Sequence, residues 1–184
     1  MKNLKLLAIL YFTMTILISC NDDDDEIIPV NEEEVITTMT ITMTPANGGT
    51  NVVLQTRDLD GDGPNPPVIT VSGNLATGIS YMSKIVLLNE TEDPAENITE
   101  EVEEESDEHQ FFYTIGGGLD ATTTYSNFDG NGNPLGTEFS LDAGNASTGT
   151  LTFTLRHEPT KPNDGLGDAG GETDISATFN VTIE

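Results

Sequence analysis

The chain has 184 residues, with 32 Asp and Glu against 6 Lys and Arg, a formal net charge of −26, one Cys, two His and no Trp. Nucleic acid is excluded as a partner because phosphate binding requires clustered Lys and Arg, and one Cys excludes an internal disulfide framework and a Cys-rich zinc site. The length fits a single domain, and the absence of Trp weakens any aromatic stacking platform.

Lys2 and Lys5 open the chain and are followed by a nearly unbroken apolar run from Leu6 to Ile18, which has the length of a signal segment and is short for a membrane span. The run ends in Leu17-Ile18-Ser19-Cys20, which resembles the lipobox of bacterial lipoproteins. That resemblance implies a signal peptide over 1–19 and lipidation at Cys20, with several acyl chains giving stable anchorage. Asp22-Asp23-Asp24-Asp25-Glu26 follows and resembles the surface-export signal of Bacteroidota lipoproteins; it reads equally as a self-repelling tether. With Pro29 and Glu32-Glu33-Glu34, residues 20–34 are expected to be a lipidated, acidic, disordered linker.

Period-two alternation governs the rest, so 35–184 is expected to be a single domain. Val35, Thr37, Met39, Ile41 and Met43 share one face of the first strand, with a Thr-rich outer face. Strands are expected at 51–56, 68–72, 78–88, 110–115 (aromatic and central), 122–126, 137–141, 150–156 and 173–183, separated by Gly, Pro and Asn turns. Strands of this number and spacing predict a mainly β fold, an immunoglobulin-like antiparallel β-sandwich of about 8–9 strands. Thr, Ser and Asn on the outer faces argue against a membrane barrel. One short helix is inserted: Asp93-Pro94 reads as an N-cap and first-turn proline, and Ala95, Ile98 and Val102 recur at helical spacing to about Ser106.

Three groups of residues could carry chemistry. Residues 90–108 hold eleven acids and no Lys or Arg, and Glu96, Glu100 and Glu104 stack at i,i+4, a repulsive arrangement that reads as a solvated face or as a surface for a cation or cationic partner. Asp58, Asp60 and Asp62 alternate through a Gly-rich loop and resemble the start of a calcium site, although Ile69 stands where an EF-hand needs its bidentate Glu; Asp129-Gly130-Asn131-Gly132-Asn133 is a weaker echo, and tight turns use the same residues. His109 and His157 each fall at the end of a predicted strand, and with Glu108 or Glu158 they could hold a transition metal if the fold brings them together.

Nucleophile elbows, phosphate loops and His-Glu-x-x-His motifs are missing, so the protein is not expected to be an enzyme. Segments such as Leu88-Asn89-Glu90-Thr91-Glu92 and Leu155-Arg156-His157-Glu158-Pro159 also resemble flavobacterial surface lipoproteins, a resemblance that brings no activity with it. It implies an outer-membrane lipoprotein facing the cell exterior. Two functions fit: a binding protein that captures a cation or metal-bearing ligand for an uptake system such as a TonB-dependent receptor, or an interaction protein whose loops meet another surface protein.

Overall fold

In a computed structural model, residues 34–61 and 63–184 are described. Cys20, the expected signal peptide, all of the expected tether except Glu34, and Asp62 lie outside the described residues. Nine strands and one helix follow in order: β1 (Thr38–Pro45), β2 (Val52–Arg57), β3 (Val68–Val71), β4 (Ser80–Leu88), α1 (Ile98–Glu104), β5 (His109–Gly116), β6 (Ala121–Tyr125), β7 (Glu138–Ala143), β8 (Ser147–His157) and β9 (Glu172–Ile183). Two antiparallel sheets form a β-sandwich, one ordered β3-β2-β1-β4-β7-β6 and the other β5-β8-β9. Among the described residues no helix is long and apolar enough to cross a membrane.

Alternation determines which side chains enter the core. Met39 and Ile41 of β1 lie opposite Leu87 and Ile85 of β4 and, with Met43, are fully buried, and Leu151, Phe153 and Leu155 of β8 lie beside Phe179, Ala177 and Ile175 of β9. Tyr113, Phe139, Phe153 and Phe179 form a chain of ring contacts across the sandwich, with centroids 4.5–6.0 Å apart. The Thr-rich sides of the strands face outward, as a pleat with one wet face requires.

Two local expectations need correction. The aromatic strand β5 is an edge of the three-stranded sheet and not its centre; its outer edge is covered by the 127–137 segment, where Leu135 C=O accepts from Phe111 N–H at 2.7 Å and the Tyr113 hydroxyl donates to Gly136 C=O. Aromatic density reports burial, and a covering loop buries an edge as well as a neighbouring strand does.

The helix also starts later than Asp93-Pro94 suggests. Asn89 and Glu96 exchange backbone hydrogen bonds at 3.1 and 3.0 Å, so residues 90–95 form a turn closed by this bridge and helix begins after Asn97. Ala95 is therefore exposed, and Glu96 drops out of the expected acidic stack, leaving Glu100 above Glu104. Ile98 and Val102 do bury against the core, and Thr99 anchors the helix to β4 by accepting from Leu87 N–H at 2.8 Å and donating to Leu87 C=O.

Candidate metal centre

His109 and His157 meet. They are directly opposed partners on β5 and β8, with ring centroids 4.7 Å apart. Both belong to the strands and not to the loops beyond them. His109 continues the inward row of Phe111 and Tyr113, and His157 that of Leu151, Phe153 and Leu155, so strand parity turns both rings inward. Their side chains are 0% and 5% exposed.

Two carboxylates complete the cluster. Glu34 lies in the segment before β1; its side chain is 2% exposed, with Oε1 at 2.9 Å from His109 Nε2 and Oε2 at 3.3 Å from His157 Nδ1. Asp174 enters through a β-bulge: Leu155 pairs with Ile175 and Arg156 with Thr173, so Asp174 is the extra residue of β9. A bulge re-aims a side chain out of regular alternation, and Asp174 Oδ1 comes to 3.9 Å from His157 Nδ1. Gly171 makes the approach to β9 possible, because a Cβ there would lie 2.2 Å from the His157 carbonyl oxygen and the residue has φ +69°.

The hydrogen bonds assign His109 a tautomer. Its Nδ1 lies 3.2 Å from the Glu105 carbonyl oxygen, which can only accept, so Nδ1 carries the proton. Nε2 is then the lone-pair nitrogen of the neutral ring, and it has no hydrogen-bond partner although the Glu34 carboxylate is 2.9 Å away. Two buried acceptors that close repel one another unless a cation or proton lies between them. A backbone carbonyl that fixes one nitrogen while the other faces carboxylates is the usual outer support of a metal-bound imidazole.

Dimensions agree with that reading. Glu34, His109, His157 and Asp174 each offer a ligand atom, all within 4.8 Å of one another. Ligands held 2.0–2.2 Å from zinc sit about 3.4 Å apart on the edges of a tetrahedron. The separations of 2.9, 3.3 and 3.9 Å bracket that figure. The donor set of two imidazoles and two carboxylates suits a first-row divalent ion.

The local field is negative. Burial would lower the affinity of His157 for a proton, but the charge and hydrogen bond of Glu34, with Asp174 and Glu158, outweigh it and raise the imidazole above its ordinary range. Glu101, on the exposed side of α1, is raised by desolvation and then by Glu34, Glu105 and Glu96, with His109 partly offsetting them.

The other expected positions are dispersed. Asp58 Oδ1 accepts from the N–H groups of Asp60 and Gly61, and Asp60 Oδ2 accepts from Asn65, so both described aspartates build the turn. The Asp129 carboxylate accepts from Asn131 N–H, Asn133 N–H and the Asn133 amide, and its remaining neighbour is the Lys161 ammonium at 3.4 Å; this echo of a calcium loop is a closed turn with a cation already supplied. Glu96, Glu100 and Glu104 are exposed, and Glu100 accepts from the Asn97 amide at 2.8 Å. Arg156 donates to the Thr173 hydroxyl. Glu158 is exposed and is not a member of the Glu34–His109–His157–Asp174 cluster.

Sequence reasoning missed Glu34 and Asp174. Glu34 ends a run of three Glu, and nothing in composition separates the buried one from its neighbours. Asp174 depends on a bulge, which alternation alone does not reveal. Extending the alternation of β5 and β8 by one residue at the His end would have turned both rings inward. Comparison of the chain with protein-family models, with curated proteins and with solved structures gave no match.

Proposed function

We propose that this is a lipid-anchored cell-surface protein that binds a divalent transition metal, zinc being the best fit, through Glu34, His109, His157 and Asp174. The observation that carries the reading is the buried, unpartnered Nε2 of His109 facing the Glu34 carboxylate, with Nδ1 tied to a backbone carbonyl. Four protein ligands leave no open coordination position, which favours holding an ion over activating water and supports a binding protein over an enzyme. The lipobox at Leu17–Cys20 and the acidic run after it support an outer-membrane, outward-facing location, where the bound ion would be offered to a neighbouring uptake receptor.

The test is equilibrium dialysis of the full chain, in detergent, against zinc. Wild type should retain zinc, and His109→Ala and His157→Ala should each retain less; retention undiminished in both variants removes the proposal. Retention should weaken as pH falls, because protons compete for the imidazole nitrogens.

The second reading, an interaction protein, is favoured by one feature. The edge strand β3 is exposed at all four residues, with Val68 at 63% and Ile69 at 49%. A partner pairing there should be lost on Ile69→Lys and be indifferent to chelator.

A further inference from the structure

We infer that His157 is shared by two cation positions, the buried one and a second, outer one formed by its Nε2 with Glu108 and Glu158. This rests on the buried-site reading only in that both positions use the same ring. The two ring nitrogens face different surroundings. Nδ1 faces Glu34 at 3.3 Å and Asp174 at 3.9 Å. Nε2 faces Glu108 Oε2 at 4.0 Å and has no hydrogen-bond partner, although the side chain is only 5% exposed. Glu108, His157 and Glu158 each place a ligand atom within 4.8 Å of the others.

The backbone holds this arrangement in place. Glu158 N–H donates to Glu108 C=O at 2.7 Å, which ties the residue after β8 to the residue before β5 and sets both carboxylates at the end of the His109–His157 pair. Glu158 is the one non-glycine among the described residues with positive φ, at 47°. A buried imidazole nitrogen with no hydrogen-bond partner, 4.0 Å from the exposed Glu108 carboxylate in a cluster that includes Glu158, can be satisfied by a divalent cation, and carboxylate and imidazole together suit zinc or copper.

The proton balance follows from the tautomer. In the neutral ring the hydrogen bond from His157 Nδ1 to Glu34 leaves the lone pair on Nε2, where an outer ion competes with protons. When the inner position fills as well, the Nδ1–H bond is replaced by a metal–nitrogen bond, the proton leaves to solvent, and the imidazolate bridges two ions.

The test uses the full chain, stripped with chelator and titrated calorimetrically with zinc. Wild type should bind two ions, Glu108→Gln/Glu158→Gln one, and Glu34→Gln one. Both substituted glutamates of the double variant are exposed, so its fold should be preserved. One ion in wild type and one in the double variant overturns the outer position and leaves the buried site standing. One ion lost in the double variant but kept in Glu34→Gln overturns the buried site instead, and no binding at all removes both. With copper(II), a bridged pair should lose paramagnetic resonance intensity as the second equivalent binds; full intensity at two equivalents overturns the bridge.

Discussion

Replacing Glu34 by Gln should change the sign of its effect on stability according to whether metal is present. In the metal-free protein a carboxylate oxygen lies 2.9 Å from the unpartnered lone-pair nitrogen of His109, with Glu34 almost wholly buried. A Gln amide can donate to that nitrogen while its carbonyl still accepts from His157 Nδ1, which now bonds Glu34 at 3.3 Å. Satisfying one buried acceptor recovers about 1–3 kcal/mol. For a domain of this size each kcal/mol moves the melting midpoint by about 2–4 °C, so the chelated variant should melt about 2–12 °C above wild type. Zinc at a hundredfold excess over its dissociation constant stabilises a protein that binds it only when folded by about 2.7 kcal/mol. Wild type should therefore gain about 5–11 °C on adding zinc, and the variant much less, since the buried site has lost a charged ligand. Calorimetric melts of both proteins with chelator and with zinc supply the comparison. A metal-free variant that melts below wild type, or that gains as much from zinc, would refute the reasoning.

Other expectations lie away from the centre. Lys161 joins the C-terminal loop to Ser106 C=O at 2.7 Å and to the buried Asp129 carboxylate, so Lys161→Met should cost about 3 kcal/mol in denaturant unfolding, as loss of one partner of a buried pair does. Burial would raise the Asp129 pKa, but the hydrogen bonds from Asn133 and Asn131, with Lys161, hold it below its ordinary value. Its contribution to stability is therefore complete above the unfolded carboxyl pKa of about 3.9 and is lost as pH falls through the lower folded value; Asp129→Asn should flatten the acid limb below about pH 4. Glu90 is held at about 2 by the two-pronged Arg57 hydrogen bonds and then by Thr38, so in an NMR titration Arg57→Ala should return it toward the ordinary carboxylate range. Thr99→Val strands the buried Leu87 N–H, and a loss of about 1–3 kcal/mol is expected, with faster amide exchange across α1.

Much of the sandwich was legible because alternation and burial are the same fact seen twice. Leu151, Phe153 and Leu155 occupy every second position, and a strand so patterned has only one way to face a core. Nine strands could be placed, but their partition into sheets of six and three could not, since pairing is decided by connections across the whole chain. The two histidines were visible as residues, and their meeting depends on the register of β5 against β8, a non-local quantity. Glu34 was hidden for a different reason. Its burial follows from where the segment before β1 passes, and a run of like charges carries no mark of which member faces inward.

Seven of the eleven acids between 90 and 108 can now be separated by what they touch. Glu90 closes an ion pair with Arg57, Glu96 serves through its backbone, Glu100 meets Asn97, and Glu103 accepts from the buried Thr137 hydroxyl. Those nearest β5 touch the histidine cluster: the Glu105 carbonyl orients His109, and Glu108 faces His157. Glu101 is raised by desolvation and then by Glu34, Glu105 and Glu96, so this block stands within electrostatic reach of the buried Glu34 carboxylate. Clustered charge of one sign beside a low-dielectric wall raises the local concentration of counter-ions and their rate of arrival. A helix carrying unrelieved Glu residues is less stable than one with mixed charge, and here that cost coincides with a negative approach to the two buried imidazoles. Neutralising Glu100, Glu101 and Glu104 together, none of them a proposed ligand, should therefore stabilise the helix while slowing zinc association at low salt. The slowing should disappear at high ionic strength, where the screening length falls to about 3 Å at 1 M salt. An association rate that is indifferent to both charge and salt would leave the acidic face as a solvating surface only.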